Sequence, residues 1–257
     1  MAGQARWPNA PAYLTAVQAP ARSFTDPVLA DATFERDVLG LPAAAEGQTA
    51  VVFFANTAEG PMALRCLTRP LPNARRRYTE LAAFLQSCPL QPFARCEWQN
   101  EGIVVEGRKW PLLKMERVPG PSLVQYVQAN VTDAPALHSL ADRWREFIRA
   151  MAQLQMAHGD LQQDNVRIVD ADDPTRSRPE TPDFRLIDLD AAWIPATAAY
   201  PPGESGHRHF QHPERLRTGH WGRHVDAFSA LVIYVSLRAL ASDASLWSFH
   251  NDENLIF

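Results

Sequence analysis

The run His158-Gly159-Asp160-Leu161-Gln162-Gln163-Asp164-Asn165 places an aspartate and an asparagine five residues apart. On one loop, that spacing can aim both side chains at a single point. A carboxylate there can accept the proton of an attacking hydroxyl. An asparagine amide oxygen can ligate a hard cation. Asp188 follows the short apolar run Phe184 to Ile187. A carboxylate at a strand end, brought beside Asn165, supplies what a Mg²⁺ ion holding nucleotide phosphates requires. That requirement is a few hard oxygen ligands, with open positions left for phosphate oxygens.

The elements around these residues follow from periodicity. Residues 134–156 read as a long amphipathic helix that delivers the chain to the loop at 158–165. Val166 to Val169 and Phe184 to Ile187 read as short strands, joined by a polar loop with Asp170-Ala171-Asp172-Asp173-Pro174 that is expected to be mobile. Upstream, Ala50-Val51-Val52-Phe53-Phe54 and Met62 to Leu67 make a hairpin around the turn Thr57-Ala58-Glu59-Gly60. Residues 73–88 place Leu81, Phe84, Leu85 and Cys88 on one helix face, extended by Tyr78 and ended by Pro89. Two further strands lie at Gly102 to Val105 and Pro111 to Met115. Pro119-Gly120-Pro121 marks a linker, and Ser122 caps a short helix behind it. Residues 191–214 are poor in regular structure, and an apolar helix lies near 225–241. Residues 1–35, rich in Pro and Ala, read as an extension lying against the first lobe or partly disordered. Trp7, Tyr13 and Phe24 are its packing residues.

The bulk composition narrows the partners. The chain has 257 residues, enough for one large domain or two small lobes around a cleft. A net charge of −4 with dispersed basic residues argues against a nucleic-acid partner; Arg75-Arg76-Arg77 is too short for a binding arm. Ala227 to Leu237 is too short to span a bilayer and reads as core. Cys66, Cys88 and Cys96 form no CxxC pair, which fits a reducing compartment. With no signal-peptide pattern at the N-terminus, a cytoplasmic location is expected. Only Lys109 and Lys114 are lysines, among 25 basic residues.

These motifs resemble the protein-kinase superfamily. His158 to Asn165 is similar to its H-R-D-L-x-x-x-N catalytic loop, and Asp188-Leu189-Asp190 to its D-F-G metal loop. Met115-Glu116-Arg117-Val118-Pro119-Gly120 resembles the hinge, His212-Pro213-Glu214 the A-P-E end of the activation segment, and Asp226-Ala227-Phe228-Ser229 the start of the long buried helix. The resemblance covers roughly residues 38 to 241. It implies an α+β, bilobal kinase-like fold: an N-terminal extension (1–35), a small β-rich N-lobe (36–118), and a helical C-lobe (119–257) that is reduced or truncated, since few residues follow Glu214. It implies ATP and Mg²⁺ as cofactors. Asp160 would be the catalytic base, with Asn165 and Asp188 as metal ligands. The backbone of Glu116 and Val118 would bind adenine, with Met115 as gatekeeper. Asp226 would hold the backbone of the catalytic loop.

The nucleotide-cradling loop falls on Ala45, Gly47 and Ala50, with Val52 at its valine position. The V-A-I-K motif falls on Met62-Ala63-Leu64-Arg65, so that Arg65 stands where the phosphate-anchoring lysine is expected, with Glu80 as its helix partner. Gly159 replaces the arginine of H-R-D, which implies no phosphorylation switch there. Gln162 replaces a lysine that would face the γ-phosphate, and Asp190 a glycine. The activity implied is phosphate transfer to protein Ser or Thr, with Thr197, Tyr200 and Ser205 as autophosphorylation candidates. Two alternatives stand beside it. One is a pseudokinase acting as a nucleotide-binding or scaffold module, favoured by Arg65 and the eroded glycine loop. The other is a small-molecule kinase of the aminoglycoside-phosphotransferase type, favoured by Gly159 and Gln162. The Pro-rich start, the H-G-D-L-Q form and the Asn-Leu-Ile-Phe tail also resemble bacterial kinase-like proteins that accompany PP2C phosphatases and von Willebrand A-type proteins in tellurite or stress responses. A protein substrate and such partners are therefore expected. His207, His209 and His212 lack the helix or cysteine support of a zinc site and are expected to shape the substrate-facing segment instead.

Overall fold

The computed structural model describes residues 6–88, 90–169, 184–201 and 206–257. It is an α+β structure, with an antiparallel sheet in the N-terminal half and a mostly helical C-terminal part. The chain divides into two compact units, Met1–Ala83 with Arg95–Arg117, and Phe84–Ala94 with Val118–Phe257. The 170–174 loop, Ser205 and the helix-ending Pro89 lie outside the described residues.

Alternating burial builds the sheet of the first unit. Its strands are β1 (Thr33–Phe34), β2 (Ala44–Glu46), β3 (Ala50–Thr57), β4 (Gly60–Leu67), β5 (Cys96–Val105) and β6 (Arg108–Glu116). The order is β1-β3-β4-β6-β5, with β2 also paired to β3. Val51, Phe53 and Ala55 on β3, and Met62, Leu64 and Cys66 on β4, are buried at every second position. They form one apolar face. That face is covered by the N-terminal helices α1 (Ala10–Val17), α2 (Pro20–Ser23) and α3 (Pro27–Ala30), whose Tyr13, Val17 and Leu29 join the same core cluster, as does Phe24 just after α2. The Tyr13 hydroxyl donates to the Leu67 carbonyl at 2.7 Å, and burial pushes its pKa up. Phe24 bridges to Ile103, and the Thr25 N–H donates to the Gly102 carbonyl at 3.2 Å. Residues 6–32 are thus an integral layer of the first unit. Helix α4 (Ala74–Ser87) buries Tyr78, Leu81 and Leu85 of the stripe its spacing predicts, leaves Phe84 of that stripe half-buried and ends one residue before the buried Cys88; Tyr78 stacks on Trp98 at 6.2 Å.

One ionic contact ties α3 to the sheet. The Lys114 ammonium, on β6, lies 3.1 Å from Asp26 Oδ2 and 3.0 Å from Glu59 Oε2. Asp26 also accepts from Gln99 at 2.8 Å and caps α3 through the Val28 N–H. Burial pushes the Asp26 carboxyl up, but the donors Gln99, Lys114 and Val28 outweigh it and hold it below the usual range. Burial pushes Lys114 down, and Glu59 and Asp26 outweigh that and hold it high. A depressed Asp26 stabilises the fold above its unfolded pKa near 4 and loses that stabilisation as pH falls through the folded value. A raised Lys114 stabilises below about pH 10 and loses it on the alkaline side. Lys114→Met is therefore expected to cost about 2 kcal/mol at pH 7 and distinctly less at pH 3. Urea midpoints at the two pH values check this; an equal cost at both would remove the ion pair from the account.

The second unit is mostly helical. α5 (Leu123–Ala129) opens it, with Ser122 and Gln125 forming a capping box. α6 (Ala134–Gln153) buries Leu137, Leu140, Ala141, Trp144, Phe147 and Met151. It packs against α8 (Ala227–Ser242), and the Trp144 indole N–H donates to the Ala230 carbonyl at 3.0 Å. A two-stranded ladder, β7 (Val166–Ile168) with β8 (Phe184–Leu186), sets Phe184 edge-on to Trp144 at 5.3 Å. Leu186 exchanges backbone hydrogen bonds with Pro92 and Ala94. Among the described residues no helix is long and apolar enough to cross a membrane. All three cysteines are free and buried; burial pushes the Cys66 and Cys88 thiols up and Cys96 up to about 12, which makes them packing groups and not nucleophiles at neutral pH.

Candidate active site

After α6 the chain turns through Gln155, at φ 52°, into the buried residues Met156, Ala157 and His158. His158 is fully buried. Its Nε2 lies 2.8 Å from the Ile187 carbonyl, so the ring carries its hydrogen there, and Nδ1 accepts the Asp160 N–H at 3.3 Å. Asp160 is half-buried. Its Oδ2 accepts from Asn165 Nδ2 at 3.2 Å, and the same amide group donates to the Asp160 carbonyl at 2.9 Å. Its Oδ1 accepts the His207 N–H at 2.6 Å. The structure therefore brings Asp160 and Asn165 together, as their spacing predicts.

Asp188 is placed by the residue before it. The Ile187 N–H donates to the Asn165 carbonyl at 3.0 Å, while the Ile187 carbonyl holds the His158 ring. Both sides of that residue are thus pinned to the 158–165 loop. Asp188 itself is exposed and adopts a left-handed backbone, φ 60°, as it enters a 3₁₀ turn at Leu189–Ala191. Aspartate tolerates that conformation better than most residues.

Under the loop sits Asp226, at the start of α8. It makes no side-chain cap to its own helix. Its carboxylate instead accepts the N–H groups of His158 and Gly159, the latter at 2.7 Å, which is the contact the resemblance implies for it. Full burial pushes its carboxyl up, against the pull of the His158 ring, the two peptide donors and the Arg215 guanidinium. Gly159 has φ 77°, and a Cβ there would meet the Ala191 carbonyl oxygen at 2.1 Å. Only glycine fits.

One site residue, Arg215, carries no sequence signal. Arg215 lies on the short helix α7 (Pro213–Thr218), is 6% exposed, and donates to the Gly159 carbonyl at 2.6 Å and to Gln211 Oε1. In the sequence Glu214-Arg215-Leu216-Arg217 nothing distinguishes it from Arg217, which is exposed. Glu214, which the resemblance places at the A-P-E end of the activation segment, pairs with Arg217 at 3.3 Å on the surface.

In the first unit the register gathers the remaining candidates. Ala45, Val52, Arg65 and Leu113 stand directly opposite one another across β2, β3, β4 and β6, and Phe54, Ala63 and Met115 do so one pleat further along. Directly opposed residues share a face. Val52, Ala63, Arg65 and Met115 therefore lie on one side of the sheet, and the N-terminal helices cover the other. Arg65 donates to Thr49 Oγ1 at 3.1 Å. Glu80 is half-buried on α4. Gly47 and Ala50 close the β2–β3 turn, the Gly47 N–H donating to the Ala50 carbonyl at 2.9 Å. Neither Ala45 nor Ala50 takes a positive φ, and a Cβ at Gly47 would meet nothing nearer than 3.6 Å, so this turn does not require glycines. The Glu116 N–H donates to the Arg95 carbonyl at 2.8 Å; Val118 is buried in the second unit.

His207 and His209 pack edge to face at 5.5 Å, His209 Nδ1 lies 3.4 Å from Glu253, and His212 Nδ1 accepts the Glu214 N–H. Among the described residues no group of three or more His, Cys, Asp or Glu is placed to hold a metal ion. No known family profile matches the sequence, and no curated protein matches it.

Proposed function

We propose that the chain is a kinase-like phosphotransferase that uses ATP and Mg²⁺ to phosphorylate an alcohol group, with protein Ser or Thr as the substrate class. The observation that carries this reading is the fixed carboxylate of Asp160. One oxygen is held by Asn165, the other by the His207 N–H, on a loop whose backbone is anchored by a buried aspartate. Each oxygen keeps a second lone pair, so the group can still accept a hydroxyl proton.

The donor set fits Mg²⁺. Asn165 spends its NH₂ on Asp160, which turns its Oδ1 away from that residue, and Asp188 adds an exposed carboxylate. Both are hard oxygen donors, suited to Mg²⁺ and poorly suited to softer metals. Bound there, the ion would neutralise phosphate charge. Asp160 would take the proton of the acceptor hydroxyl, and the anchored loop would hold that carboxylate in line. Within the first unit, the sheet face that the N-terminal helices leave uncovered carries Arg65, a permanent cation of the kind that pairs with phosphate, beside the apolar side chains of Val52, Ala63 and Met115.

A second reading, a nucleotide-binding module without transfer, is favoured by the hydrogen bond between Arg65 and Thr49, which commits part of the guanidinium to the protein itself. Thermal shift separates the two when run beside transfer of labelled phosphate. The transferase reading expects stabilisation by ATP that depends on Mg²⁺ together with autophosphorylation or transfer to a generic Ser/Thr substrate. Stabilisation without transfer selects the binding module. No stabilisation by ATP under any condition overturns both.

A further inference from the structure

α7 carries two arginines with opposite fates. Arg217 is exposed, whereas Arg215 is 6% exposed. A buried guanidinium is costly unless its charge and its donors are matched, so its partners reveal its role. Arg215 donates to the Gly159 carbonyl at 2.6 Å and to Gln211 Oε1, and it lies in the field of Asp226 and Asp160. Gly159 immediately precedes Asp160. Gln211 belongs to the segment that reaches Asp160 from the other direction. There the His207 N–H donates to Oδ1, and Gly206 packs so closely that a Cβ would fall 2.7 Å from the same oxygen. Gln211 Nε2 is buried and has no hydrogen-bond partner among the described residues, so its side chain is held through Arg215. The loop has no room for a cation of its own at position 159, where a Cβ would strike the Ala191 carbonyl.

We propose that Arg215 is the positioning residue of the candidate active site, clamping Gly159 and Gln211 so that both chain segments touching Asp160 keep one geometry. This rests on the reading of Asp160 as the proton acceptor. Arg215 touches neither nucleotide nor hydroxyl; it acts through Asp160.

The test compares Arg215→Met, Arg215→Lys and the control Arg217→Met in the full chain. Phosphate transfer from ATP with Mg²⁺ is expected to fall about 100-fold in kcat for Arg215→Met, the scale of a displaced catalytic group, with KM for ATP nearly unchanged. Arg215→Lys restores part of the rate, and Arg217→Met behaves as wild type. Independently of activity, amide hydrogen exchange is expected to accelerate at Gly159–Leu161 and His207–Gln211 in Arg215→Met, while α6 and α8 keep their protection. Wild-type kcat and wild-type exchange in Arg215→Met overturn the proposal. So does a uniform loss of protection across the second unit that Arg215→Lys fully repairs, because that marks a purely structural role. If Arg215→Met does not fold, Arg215→Lys decides: local exchange with lowered kcat supports the clamp, and wild-type values refute it. A wild-type chain that transfers no phosphate refutes the functional reading alone, and the exchange measurement still decides whether Arg215 clamps the loop.

Discussion

Replacing Asp160 by alanine is expected to lower phosphate transfer about 1,000-fold, the middle of the range for loss of a positioned general base, while stabilisation by ATP and Mg²⁺ persists. The carboxylate is held at both oxygens, by the His207 N–H at 2.6 Å and by Asn165 at 3.2 Å. Such anchoring fixes direction without neutralising the group. Asp160→Asn keeps the shape, but an amide accepts no proton at neutral pH, so the same loss is expected. Asp188→Ala is expected to behave differently: it removes a metal-facing carboxylate, so the Mg²⁺-dependent part of the ATP stabilisation should go together with transfer. Asp164, exposed on the same loop, is the control, and Asp164→Ala should transfer phosphate at the wild-type rate. Retained transfer in Asp160→Ala would mean that another group takes the proton.

The largest effect on stability is expected at Asp226. Its carboxylate satisfies two buried peptide donors, from His158 and Gly159, and balances the buried Arg215. Asp226→Ala orphans both N–H groups, at roughly 1–3 kcal/mol each, and leaves a buried cation uncompensated. A loss of about 4 kcal/mol follows, large against a total of about 5–15 kcal/mol. Asp226→Asn should rescue only part of it, because the amide NH₂ then faces a peptide donor. Urea denaturation measures both. Glu214→Gln, at a surface pair, is expected to change stability by less than about 0.5 kcal/mol. A cost for Asp226→Ala as small as that of Glu214→Gln would show that the loop is held by other contacts.

The difference between these acidic residues bears on what a sequence can disclose. Asp160 and Asn165 were legible because both lie on one loop, where five residues of separation determine what can touch. The stripes of α4 and α6 were legible because burial follows the helical period, and the strands β3, β4 and β6 because each holds a short run of apolar β-formers beside turn residues. Arg215 was not, because its burial depends on α7 meeting a loop some fifty residues earlier, and Arg217 looks the same in one dimension. The N-terminal helices were missed for a related reason. Their prolines read as an irregular extension, yet each stands in the first turn of α1, α2 or α3, where a missing N–H costs nothing. At four to eight residues these helices are too short to declare themselves by periodicity, and they exist because the sheet receives Tyr13, Val17 and Leu29.

That N-terminal layer also dictates an order of events during synthesis. Its anchors are distant in sequence: Tyr13 reaches 54 residues ahead to Leu67, Thr25 reaches 76 to Glu101, and Asp26 reaches 88 to Lys114. At about 5–20 residues per second, the last of these partners leaves the ribosome roughly 4–18 seconds after Asp26 does. The residues of this layer are therefore made before the strands that seat them. Until β6 emerges, Tyr13 and Leu29 have no finished surface to occupy, and pairing over such separations is slow to close. The helices α1 to α3 are thus held open until the first unit is nearly complete.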